Sequence, residues 1–153
     1  MTDELALLIA DIFETAGALR RWGERTAATE GQTQARWQVL SVLSGGSLTV
    51  PATARRLGIS RQAVQRTVNE LVDEGLAQVV ANPDHRTAGL LKLTDHGRDV
   101  LNRITARATD VHRELFADLP PADLARTRTT LRTLLTRIRT ADPPADVADP
   151  TKR

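Results

Sequence analysis

A mainly α-helical fold with one small β-hairpin is what this 153-residue sequence predicts, and three observations carry the prediction. Apolar residues recur at spacings of three and four through long stretches of the chain, as they do in helices that bury one face. Two short helical stretches are joined by Leu57-Gly58-Ile59-Ser60, a tight turn whose serine is placed to cap the second of them. Directly after them come two strand-like runs on either side of a turn-rich segment. A helix-turn-helix succeeded at once by a hairpin is the layout of a winged helix.

Each element has its own signal. Leu5, Leu8, Ile9, Ile12, Phe13, Ala16 and Leu19 mark a first helix over residues 4–29, with Gly31 as its stop. A second helix over 32–44 buries Trp37, Leu40 and Leu43 and ends at Gly45-Gly46. Ser47-Leu48-Thr49 reads as a short strand or a turn. Thr49 is placed to cap a short helix over 50–57, where Pro51 is tolerated because first-turn amides are unpaired anyway. Gly58 breaks this helix, and Ser60 caps the next, which runs to Glu74 before Gly75. Ala77-Gln78-Val79-Val80 and Leu90-Leu91-Lys92-Leu93 form the hairpin around Asn82-Pro83-Asp84-His85-Arg86-Thr87-Ala88-Gly89. From Thr94 a helix carries Leu101, Ile104, Ala108, Val111 and Leu115 in a heptad-like seam, closed by Pro120-Pro121. A last helix over 122–139 places Leu124, Leu131, Leu134, Leu135 and Ile138 on one side. Residues 141–153, with three prolines and no periodicity, read as a disordered tail.

Composition excludes several functions. There is no cysteine, hence no disulfide framework, thiolate zinc site, iron–sulfur cluster or thiol redox sensor. His85, His96 and His112 stand in three separate contexts, so neither a metal nor any other cofactor is expected. The first residues, Met1-Thr2-Asp3-Glu4, are acidic where a signal peptide is basic, and no apolar run approaches the ~18 residues of a membrane span. The expectation is a cytoplasmic protein without a membrane partner.

The net charge is only +2, but it is unevenly spread. Residues 31–69 contain no acid, while Arg36, Arg55, Arg56, Arg61 and Arg66 lie among them. Acids return at Glu70, Asp73, Glu74 and Asp84. A local basic field in a nearly neutral chain fits an anionic partner, and fits a solvated face as well. The helix after Ser60 adds chemistry. At 100° per residue Val64, Thr67, Val68 and Leu71 share one face, and Gln62, Arg66 and Asn69 the opposite one. Gln65 lies on the flank and Arg61 in the first turn. Arg pairs bidentately with guanine in the major groove, and Gln or Asn with adenine. An ordinary amphipathic helix would show the same polar face; the capped turn before it and the hairpin after it favour double-stranded DNA. Arg86, near the hairpin tip, suits the minor groove. Asp84 suits either a hydrogen bond to an arginine or turn initiation. Asp84 beside His85 lacks a nucleophile and an oxyanion site, so no enzyme is read from the pair.

Arg36-Trp37-Gln38-Val39-Leu40, Leu57 to Val64 and Leu71-Val72-Asp73-Glu74-Gly75-Leu76 resemble the MarR (multiple antibiotic resistance regulator) family. Asn82-Pro83-Asp84-His85-Arg86, Leu93-Thr94 and Gly97 extend the resemblance through the wing. It implies an obligate homodimer with interlocking terminal helices, each subunit presenting one winged helix to a pseudo-palindromic operator. In many members it also implies a pocket for lipophilic phenols or anions. Arg61, Gln62, Gln65 and Arg66 match the groove-reading helix, Arg86 the wing arginine and Asp84 the aspartate that positions an arginine. Thr87 and Gly89 depart from the pattern, standing where relatives often carry a second arginine and a basic or bulkier residue.

The resulting expectation is a winged helix-turn-helix repressor over residues 32–93, flanked by N- and C-terminal dimerisation helices over 1–31 and 94–140. Arg55, Arg56, Ser60, Arg61, Gln62, Gln65, Arg66, Asn69 and Arg86 are its candidate DNA contacts, with Asp84 positioning the wing. Phe13, Trp22, Trp37, His112 and Phe116 are candidates for an effector pocket, although Trp37 reads first as core. The rival reading is a winged-helix dimer that binds another protein and has little affinity for DNA.

Overall fold

The computed structural model describes residues 3–83 and 88–141. Its elements run α1 (Glu4–Ala28), α2 (Gln34–Ser44), α3 (Val50–Leu57), α4 (Arg61–Asp73), β1 (Ala77–Val80), β2 (Leu90–Leu93), α5 (Asp95–Leu115) and α6 (Pro121–Thr140). The mainly helical winged-helix order expected from the sequence is present. Asp84, His85, Arg86 and Thr87 of the wing, and the tail from residue 142, lie outside the described residues.

Side-chain caps set the helix starts. The hydroxyls of Thr33, Thr49 and Ser60 accept the amides of Arg36, Ala52 and Ala63 at 3.3, 3.3 and 3.1 Å. Each such cap is worth about 1 kcal/mol. Because Thr33 is itself the cap, α2 begins at Gln34, two residues later than the apolar pattern placed it. Gly58 ends α3 at φ +69, and both its amide and that of Ile59 reach the Ala54 carbonyl, at 2.9 and 3.2 Å. That left-handed conformation turns the chain directly into α4.

The chain divides into two compact units, Met1–His112 and Arg113–Arg153. The first contains one core: Val39, Leu40 and Leu43 of α2, Ala54 of α3, Val64, Val68 and Leu71 of α4, Leu76, Ala77, Leu91 and Leu93 around the hairpin, and Val100, Leu101 and Ile104 of α5. Trp37 packs against it. The hairpin is antiparallel, with Ala77 opposite Leu93 and Val80 opposite Leu90. Leu48 forms a one-residue bridge to Leu91, so the segment left open as strand or turn contributes a minimal third strand.

The start of α5 is tied to the end of α4. The Thr94 hydroxyl donates to the Gly75 carbonyl at 2.7 Å and accepts the Gly97 amide at 2.9 Å. The Thr94 amide reaches the Leu76 carbonyl at 3.2 Å. A Cβ on Gly97 would fall 1.9 Å from that same oxygen, which explains the Leu-Thr-x-x-Gly spacing.

The terminal helices are apolar but unburied in the single chain. Leu5, Leu7, Ile9, Phe13 and Leu19 of α1 are exposed, Phe13 at 74%. In the second unit, α6 buries no residue, and Leu124, Leu131, Leu135 and Ile138 are exposed. No helix among the described residues is long and apolar enough to cross a membrane.

Candidate nucleic-acid interface

Burial of Val64, Val68 and Leu71 fixes which way α4 faces. Its opposite side carries Arg61, Gln62, Gln65, Arg66 and Asn69, all exposed, as their spacing predicts. The Gln65 amide nitrogen donates to the Asn69 side-chain oxygen at 2.8 Å. This pairing leaves the Gln65 oxygen free to accept and the Asn69 amide free to donate, the combination that matches an adenine edge. Ser60 is occupied as the cap, so its hydroxyl serves the helix start. Arg55 and Arg56 are exposed in the last turn of α3. Thr49, Val50, Pro51, Arg61, Gln62, Gln65, Ala88 and Gly89 line an open depression of about 510 Å³ between the starts of α3 and α4 and the base of the wing. The wing contacts expected of Arg86, and the role expected of Asp84, fall outside the described residues.

One member of the basic stretch does not belong to this surface. Arg36 is only 7% exposed, and its guanidinium pairs with Glu70 at 3.4 Å and Glu74 at 2.5 Å. The Arg36 hydrogen bond holds the Glu74 carboxyl below its usual range. The field facing outward is therefore that of Arg55, Arg56, Arg61 and Arg66, none of which is paired with a carboxylate among the described residues. The spacing contained a signal for this: Arg36 precedes Val39, Leu40 and Leu43 by three, four and seven residues, which puts it on the buried face of α2.

A second cluster was not singled out in the sequence. Glu30, between α1 and α2, accepts hydrogen bonds from the Nε atoms of Arg103 and Arg107 on α5, at 2.7 and 3.2 Å. The Arg103 bond, first, and that of Arg107 hold the Glu30 carboxyl below its usual value. Nearby along the same helices, Trp22 and His112 stack with ring centroids 4.7 Å apart. Of the other effector-pocket candidates, Phe13 is exposed, Trp37 packs on the core, and Phe116 is exposed in the second unit. No His, Asp or Glu cluster among the described residues could hold a metal ion.

Comparison with known proteins agrees with this geometry. The family model described as "MarR family" matches residues 31–86. An uncharacterized protein of Mycobacterium tuberculosis H37Rv is 54% identical over 143 residues, covering 94% of this chain and 100% of the relative. The crystal structure of the transcriptional regulator BldR from Sulfolobus solfataricus superposes with a TM-score of 0.81 at 18% identity, covering 88% of this chain and 96% of that one. A mutant MarR from Escherichia coli, crystallised with operator DNA, superposes with a TM-score of 0.74 at 22% identity, covering 86% and 96%.

Proposed function

This chain belongs to the MarR family, a family of DNA-binding transcription regulators rather than enzymes, and on that premise we propose that it is a homodimer that represses transcription by occupying a pseudo-palindromic operator. The observation that carries the reading is the exposed face of α4, where Arg61, Gln62, Gln65, Arg66 and Asn69 stand together and neither arginine is paired with a carboxylate among the described residues. Arg66 and the Gln65–Asn69 pair read base edges; Arg55 and Arg56 meet phosphates and set register. Arg86 serves the minor groove and Asp84 positions the wing, as the family resemblance implies.

Dimerisation is inferred from the terminal helices. Apolar stripes as long as those of α1 and α6 are rarely left to solvent. Their charges are complementary as well. Before Arg20, the first helix carries Asp3, Glu4, Asp11 and Glu14 and no cation, whereas α6 carries Arg126, Arg128, Arg132, Arg137 and Arg139 against Asp123. A two-fold pairing of α1 with the partner's α6 satisfies both the apolar and the charge pattern, and sets two α4 helices about 34 Å apart on one face of the duplex. Release by a small lipophilic ligand completes the reading, on the strength of the family resemblance.

The test is retardation of the chain's own upstream promoter fragment, with an unrelated fragment of equal length as control. Selective retardation by a dimer is the expected result. Equal, weak retardation of both fragments would favour the protein-interaction reading instead.

A further inference from the structure

We propose that Arg36 is a positioning residue for DNA recognition: a buried guanidinium on α2 that grips the C-terminal end of α4 through Glu70 and Glu74 and thereby sets how the α4 polar face meets the groove. The proposal rests on the DNA-binding reading of α4 and adds a residue that does not touch DNA.

The geometry separates two ways of holding a helix. Val64, Val68 and Leu71 anchor α4 by apolar burial, which is strong but non-directional and tolerates small rolls and slides. Arg36 adds direction. Its planar, five-donor fork meets two carboxylates one turn apart, closely at Glu74 and more loosely at Glu70. Glu70 directly succeeds Asn69, so the grip begins where the groove-facing residues end. The accuracy matters. With side-chain tips at a radius of about 5–6 Å, a 15° roll of α4 moves them by roughly 1.5 Å, enough to lose a base-edge hydrogen bond.

The choice of residue points the same way. Position 36 lies on the buried face of α2, where an apolar side chain of similar volume commonly gives equal or greater stability than a desolvated charge. The Nε of Arg36 has no hydrogen-bond partner, so the site is not optimised for stability. What an arginine supplies here, and a methionine cannot, is a fixed angular relation between α2 and α4. The same contact also pairs two acids, Glu70 and Glu74, on the flank of the groove-facing stripe.

The experiment compares wild type, Arg36→Met, Arg36→Lys and the Glu70→Gln/Glu74→Gln double variant in the full-length chain. Each is titrated with duplex enriched from a randomised pool by the wild type, and with a scrambled duplex, at several salt concentrations. Urea unfolding and hydrogen exchange of the α4 amides are measured in parallel. Arg36→Met is expected to lose at least tenfold in affinity for the enriched duplex, to keep its affinity for scrambled DNA and its salt slope, and to exchange faster at the C-terminal end of α4. Arg36→Lys, which keeps the charge but not the fork, should fall between the two. The glutamine pair should reproduce the loss even if Arg36→Met fails to fold. An unchanged ratio between the two duplexes in the glutamine pair would overturn the proposal. So would equal losses on both duplexes with a salt slope lower by about one, which would mark Arg36 as a phosphate contact. A wild type that enriches no sequence at all would instead overturn the DNA reading itself, so the two failures are told apart.

Discussion

Replacing Gly97 by alanine sets two opposed effects against each other, and the structure decides the sign. In a helix interior, alanine gains about 1 kcal/mol over glycine. At Gly97, however, the new Cβ would stand 1.9 Å from the Leu76 carbonyl oxygen, so α5 and the start of the hairpin would have to separate by about 1.5 Å to restore ordinary contact. The obstacle is backbone, not a side chain that can swing away. That separation breaks the Thr94 amide bond to Leu76 and the Thr94 hydroxyl bond to Gly75, each worth about 1 kcal/mol. Strain in a packed site adds roughly 1–3 kcal/mol. After the helix-propensity gain is set against these, Gly97→Ala should destabilise by about 2–4 kcal/mol. Gly45→Ala is the control. There φ is −82° and the nearest atom is an ordinary 3.8 Å away, so the same methyl should stabilise by about 0.4–1 kcal/mol through the unfolded chain. Urea unfolding at one fixed protein concentration measures both, the fixed concentration being needed because the stability of the proposed dimer would depend on it. A Gly97→Ala protein as stable as wild type would refute the reading of α5 as pinned to the hairpin.

Three further outcomes rest on named contacts. Arg66→Ala should cost about 1–3 kcal/mol on operator DNA and little on scrambled DNA, whereas Arg55→Ala and Arg56→Ala should weaken both alike and lower the salt slope by about one each; titrations on both duplexes at several salt concentrations decide. Glu30 has a folded pKa below its ordinary 4.5, so its contribution to stability is present above that value and is lost as pH falls through the lower folded value; Glu30→Gln and wild type should therefore differ near neutrality and converge in acid, which unfolding from pH 7 to pH 3 would show. Phe13→Glu or Leu135→Glu should convert a micromolar dimer to monomer in sedimentation, and a well-behaved monomeric wild type would end the dimer reading.

The elements were legible in the sequence wherever local chemistry decided them. Gly58 and Ser60 marked the turn between α3 and α4 because a left-handed residue and a capping hydroxyl act within a few residues. The hairpin strands, Ala77–Val80 and Leu90–Leu93, stood out through their apolar runs and the turn residues between them. The exposed stripe of α4 was legible for a related reason: once Val64, Val68 and Leu71 are buried, the helical period leaves the other positions no choice.

Charge was harder to read, because a charge count has no direction. Arg36 and Arg66 add equally to the basic stretch, yet one lies under α4 and the other lies on it. Their difference depends on which faces of α2 and α4 meet, a tertiary fact that linear spacing only hints at. Glu30 shows the same limit over a longer range, since its two arginines lie 73 and 77 residues away in the chain. The terminal helices invert the problem. Their apolar spacing is as regular as that of the core helices, but the single chain leaves α1 largely bare and α6 without a buried residue. Burial of these two apolar faces is what the proposed dimer would supply, with the acidic first half of α1 set against the arginine-rich α6 of the partner across a two-fold axis.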